Sequence, residues 1–131
     1  MKAVSRKVML ALAVAGTLAF GAQAQEKHPI YLSMSYIGND WQAEAANMVK
    51  ALAASKEYAD KVDLKVQVAG PNAQRQIQQI NAMVQAGAKA IVVYPISPTA
   101  LNQVVKSACA KGVTIIAYDA EITEPCAYNV T

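Results

Sequence analysis

AIVVYPISPTALNQVVKSACAKGVTIIAY, residues 90–118, is two apolar runs separated by an amphipathic one. Ala90–Tyr94 and Val113–Tyr118 are nearly continuous apolar stretches of strand length, the pattern of strands covered on both faces. Between them Leu101, Val104, Val105 and Ala108 recur at helical spacing and mark one buried stripe. Ser97 reads as the helix N-cap with Pro98 at the first helical position, and Gly112 ends the helix. A strand, a helix and a strand in about thirty residues form a parallel crossover unit.

Upstream the same unit repeats. Ile30–Met34 reads as a first strand, followed by a helix whose Trp41, Ala45, Met48, Val49 and Leu52 are expected to form its buried face. Val62, Leu64, Val66 and Val68 alternate with polar residues, as in a half-covered strand near a sheet edge. After Gly70-Pro71 a second helix presents Ala73, Ile77, Ile80 and Val84 inward and Gln74, Gln78 and Gln85 outward, with Gly87 as its stop. Downstream, Asp119–Pro125 is a loop and Cys126–Val130 a fifth strand. Strict alternation of this kind predicts a doubly wound α/β fold with a parallel sheet in the order 2-1-3-4-5.

The topology carries two consequences. Ligands of such sheets sit beyond the carboxyl ends of the strands, where the strand order reverses between the first and third. Right-handed crossovers place the first helix on one sheet face and the other two on the opposite face. Strands three and four are therefore expected to be bare on one side, an apolar patch that awaits a partner.

The first 24 residues read as an export signal: basic Lys2, Arg6 and Lys7, an apolar Val8–Phe20, and Ala22-Gln23-Ala24 before a cleavage point at Gln25. The apolar stretch falls short of the roughly 20 residues that span a bilayer. Residues 25–131 are then one small domain in an oxidising compartment. The signal takes three of the twelve basic residues with it and leaves nine against nine acidic ones. No basic stripe for nucleic acid or a membrane surface remains.

Cys109 and Cys126 both lie in the exported part. A disulfide is the first reading and two separately buried thiols the second. A metal site is disfavoured, because His28 is the sole imidazole and lies near the new amino terminus. No cofactor is indicated.

At the crevice the inventory is Asn39, Asp40 and Trp41 from SYIGNDWQ (residues 35–42), Tyr94 after the third strand, and Asp119 and Glu121 after the fourth. Rings, amides, hydroxyls and carboxylates suit a polyhydroxylated ligand, which stacks its CH face and pairs its hydroxyls. Each residue also has a structural reading. Asn39 with Gln42 makes a capping box or a turn, Asp40 is a competing cap, and Trp41 fits a core position. Asp119 has the least packing reason for its place. GxSxG, GxGxxG, P-loop and HExxH motifs are all absent. The enzyme alternative is a small secreted α/β glycoside hydrolase using Asp119 and Glu121. A third alternative is a module that dimerises through its bare sheet face.

The export signal, SMSYIGNDWQ from Ser33, AIVVYPISPTAL from Ala90 and GVTIIAYDAEITEPCAYNV from Gly112 together resemble the N-terminal lobe of type I periplasmic binding proteins. The group most similar is the ribose-binding-like sugar receptors of ABC importers. The resemblance implies a two-lobed clamshell that closes on a sugar-like ligand and then docks to a membrane permease. It places hydroxyl recognition on Asn39, ring stacking on Trp41 and the family's carboxylate on Asp119. Two departures stand out: Asp40 occupies a common proline position, and Ala120 a common arginine position, so ribose itself is not implied. By the same resemblance Thr131 falls about where the chain would cross to a second lobe, and residues 25–131 are expected to be one lobe of a truncated receptor.

Overall fold

The computed structural model describes residues 25–131. The expected export signal lies outside the described residues. The elements run β1 His28–Met34, α1 Asp40–Ala53, β2 Val62–Val68, α2 Ala73–Gln85, β3 Ala90–Tyr94, α3 Asn102–Ala110, β4 Thr114–Tyr118 and β5 Tyr128–Val130. All five strands are parallel, in the order β2-β1-β3-β4-β5, as the alternation predicts.

Strand periodicity divides the core in two. Tyr31, Ile91, Val93, Ile115 and Ala117 point to one face and pack with Ile80 and Met83 of α2 and with Leu101, Val104, Val105 and Ala108 beside or within α3. Leu32 and Met34 point to the other face, where Ala46 of α1 covers them and Val49, Leu64, Val66 and Val68 pack around. The sequence expectation of one helix against two holds. On the α1 side Val92, Ile116 and Tyr118 remain partly exposed, whereas Ile91, Val93, Ile115 and Ala117 are wholly buried.

The expected buried face of α1 is corrected. Trp41, Met48 and Leu52 are 53%, 64% and 59% exposed, and the residues turned to the sheet are Gln42 and Ala46. At about 100° per residue, the stripe through positions 42, 46, 49 and 53 lies roughly a quarter turn from the one through 41, 48 and 52. Small side chains let the helix lie close on β1 and β2, and its bulkier flank then overhangs the open part of the sheet. There Leu52 and Val49 line an apolar groove of about 320 Å³ with Ile30 and Val92.

Smaller corrections concern boundaries. In α2 the fully buried positions are Gln76, Ile80 and Met83, with Ile77 and Val84 partly covered. Leu101, not Ser97, precedes the first residue of α3. Ser97 instead accepts from the Thr99 and Ala100 amides and caps the turn before that helix. The fifth strand is three exposed residues rather than five.

Cys109 and Cys126 form a disulfide with Cα atoms 6.4 Å apart. It ties the end of α3 to the segment before β5, and both cysteines pack against the larger core. Closing a loop of 17 residues stabilises the fold by about 3 kcal/mol in the chain-entropy model.

Candidate functional site

The carboxyl ends of β1, β3 and β4 present the three segments that carry the candidate residues. The β1–α1 connection is fixed at both ends. The Ser35 amide donates to the Tyr94 carbonyl at 3.0 Å, and the Gln42 amide donates to Asn39 Oδ1 at 2.9 Å. Asn39 is therefore the N-cap of α1, in an extended conformation, and Asp40 is the first helical residue. Ahead of the cap, Tyr36 folds its ring over Gly38, where an added Cβ would collide with the ring. The whole stretch from Tyr36 to Trp41 is exposed. Trp41, at 53% exposure, is no core residue.

Tyr94 is held from three sides. Its carbonyl also accepts from Gln76 Nε2 at 3.0 Å, and its hydroxyl oxygen accepts from Gln42 Nε2 at 2.8 Å. Gln76 is wholly buried and further donates to Ser33 Oγ and accepts from the Ile96 amide, so one amide links β1, α2 and the loop after β3. The Tyr94 ring lies against that of Tyr118, with centroids 5.7 Å apart. Burial, then the nearby Asp119 carboxylate and Tyr94, push the Tyr118 hydroxyl up to about 12.

Asp119 follows at the end of β4 with φ of 64°, the one non-glycine residue in the left-handed region among those described. Its amide donates to the Val130 carbonyl at 3.3 Å, and the next amide, of Ala120, turns back to the Tyr118 carbonyl. A carboxylate residue tolerates this conformation better than a bulky one, and its cost is of a kind that clusters at functional sites. Asp119 and Glu121 are exposed. The loop bearing them is rigid in its second half. Asn129 pins Ile122 with two hydrogen bonds, and Asn102 bonds both Thr123 and the Glu124 amide.

The structure thus brings Asn39, Asp40, Trp41, Tyr94, Asp119 and Glu121 to one end of the sheet as an open wall. A concavity of about 430 Å³ lies at the opposite end between Lys27, His28, Gly87 and Lys89, away from this chemistry. Among the described residues no cluster of three His, Cys, Asp or Glu side chains is arranged to hold a metal, and no helix is long and apolar enough to cross a membrane. Sequence reading placed Gln42 in a capping box, whereas its side chain reaches Tyr94, and it missed Gln76 and Tyr118. Their only sequence signal is a polar residue at a helical position that periodicity would fill with an aliphatic one, and a tyrosine directly before the candidate carboxylate.

The family model for the periplasmic binding protein domain matches residues 30–131. No curated protein matches the chain. An ABC transporter solute binding protein from Thermobispora bispora DSM 43833 is 32% identical, with a TM-score of 0.65 over 79% of this chain and 33% of that one. The Caulobacter myo-inositol binding protein, solved with myo-inositol, superposes with a TM-score of 0.72 at 22% identity over 81% of this chain and 35% of that one. A periplasmic solute binding protein from Actinobacillus succinogenes 130z, solved with D-allose, gives 0.66 at 24% over 73% and 33%. The chain spans about a third of the length of the solved structures it matches. The strand order, the parallel ladder and the match across almost every described residue lead to one conclusion: this chain belongs to the periplasmic binding protein domain family.

Proposed function

We propose that residues 25–131 form the N-terminal lobe of an exported solute receptor that binds a sugar or related polyol for an ABC importer, after removal of residues 1–24 as a signal. The observation that carries this reading is the exposed wall of Asn39, Trp41 and left-handed Asp119 at the point where the strand order reverses. An indole offers a stacking face, and the Asn39 and Asp119 side chains offer hydroxyl partners. A wall holds one side of a ligand. A second lobe closing by hinge motion would bury the other side, and the closed form would dock to a membrane permease. Full affinity therefore belongs to the closed pair, because burial of 70–90% of a ligand is what pockets normally achieve.

The test is an NMR titration of the purified chain with D-ribose, D-allose and myo-inositol, followed at the Trp41 indole N–H. The expected result is a weak response, on the order of millimolar, that Asp119→Asn and Trp41→Ala remove. A tight, micromolar response would overturn the one-wall reading. A response to every polyol that survives both substitutions would overturn the site.

One observation favours a second reading. Trp41, Met48 and Leu52 stand exposed on the flank of α1 beside the open strands, as in a module that pairs with a copy of itself. Sedimentation of the chain separates the two. A discrete dimer supports pairing, and indefinite aggregation supports a face that another part of a receptor covers.

A further inference from the structure

Gln42 is 5% exposed and sits on the stripe of α1 that continues through Ala46 and Val49. Packing alone does not account for an amide there. An aliphatic side chain would seal the helix to the sheet, whereas Gln42 leaves its Oε1 buried without a partner among the described residues. Its Nε2 has one partner, the hydroxyl oxygen of Tyr94, at 2.8 Å. A tyrosine oxygen that accepts a hydrogen bond still has its own hydrogen to give. Tyr118 stands beside Tyr94, but among the described residues its hydroxyl takes part in no hydrogen bond. The Tyr94 hydrogen therefore has no acceptor among the described residues. The rest of Tyr94 is immobilised, with its carbonyl held by the Ser35 amide and by Gln76.

We propose that Gln42 is a positioning residue: by donating to Tyr94 it turns the tyrosine into a fixed hydrogen-bond donor aimed at an oxygen of the bound ligand. The proposal rests on the polyol reading for the ligand and adds a polarity to the site. One end of the wall, at Asp119, accepts from ligand hydroxyls, and the other, at Tyr94, donates to a ligand hydroxyl or ring oxygen. A neutral phenol selects an uncharged oxygen over an ammonium group, which has no lone pair to offer.

The test uses the chain with Gln42→Met, which keeps shape and burial while removing the donor, and Tyr94→Phe. Tyrosine Raman doublets distinguish an accepting from a donating hydroxyl, and the Tyr94 signal is isolated by difference against Tyr94→Phe. Without ligand, the unmodified chain is expected to show Tyr94 as an acceptor, and Gln42→Met to lose that signature while melting no lower. With myo-inositol as probe, both variants are expected to weaken the Trp41 response about tenfold, the fold-change of one net hydrogen bond at the upper end of its range. A donating Tyr94 in the ligand-free unmodified chain, or a Gln42→Met response equal to it, overturns the proposal. An accepting Tyr94 in a chain that does not respond to myo-inositol supports the orientation of Tyr94 and counts against the polyol reading instead.

Discussion

Ile115 and Ile116 are adjacent on β4, the same residue type on opposite faces of one strand. Ile115 is wholly buried in the core shared with α2 and α3, and Ile116 is partly exposed on the side of α1. The contrast extends along the sheet, to Ile91 and Val93 against Val92 on β3. Two helices cover the first face across β1, β3 and β4. On the other face α1 lies over β1 and β2 and leaves β3 and β4 open. The strands are apolar on both sides, so their composition anticipates cover that the described residues provide on one side only.

Cutting the same side chain from each face measures the difference between them. Ile115→Ala is expected to cost about 2–5 kcal/mol, the range for a large-to-small change in a closed core. Ile116→Ala is expected to cost about 1 kcal/mol or less, since solvent fills the space. Urea unfolding of both variants checks this, and equal costs would mean that the open face is closed in solution. Next in size is the disulfide. Replacing both cysteines by alanine is expected to lower stability by about 3 kcal/mol. Because the bond anchors the segment leading into β5, hydrogen exchange should show Tyr128–Val130 losing protection first.

Tyr118 lies on the open face, yet burial there pushes its hydroxyl up from 10.0 to about 12. The unfolded chain releases this proton first, so the Tyr118 contribution to stability is whole below pH 10.0 and is lost as pH rises through about 12. Tyr118→Phe should flatten that alkaline decline in a series of thermal melts. The smallest effect on stability is expected from Met48→Lys with Leu52→Lys, within about 0.5 kcal/mol, because both side chains are already exposed. Sedimentation should show the same pair reducing self-association, which places the sticky surface on this flank. If the variant pairs or aggregates as before, the open face is not where copies meet.

Much of this was legible in the sequence. Strand-helix alternation gave the parallel sheet and its order, and the topology alone anticipated which strands would lack cover. Leu101, Val104, Val105 and Ala108 were read correctly because a stripe that packs against both a sheet and a neighbouring helix leaves little freedom of rotation. For α1 the same reasoning failed. Its periodicity showed that an apolar stripe exists, but with open sheet beside it the helix could settle about a quarter turn away and bury Gln42 and Ala46. At the site, the sequence supplied the loops and their residue types. It did not reveal that Asp119 adopts a left-handed backbone or that two glutamines hold Tyr94.

Legible without the fold was what depends on near neighbours: the period of each segment, the glycines at 87 and 112 that stop α2 and α3, and the order in which a right-handed chain lays down its strands. Tertiary structure alone decided the contacts between distant segments. Gln42 meets a tyrosine 52 residues away, and Gln76 meets a serine 43 residues away. Hydrophobic periodicity carries no trace of such pairs, because a polar side chain is stable in the interior only through its partner, and folding is what brings that partner within reach.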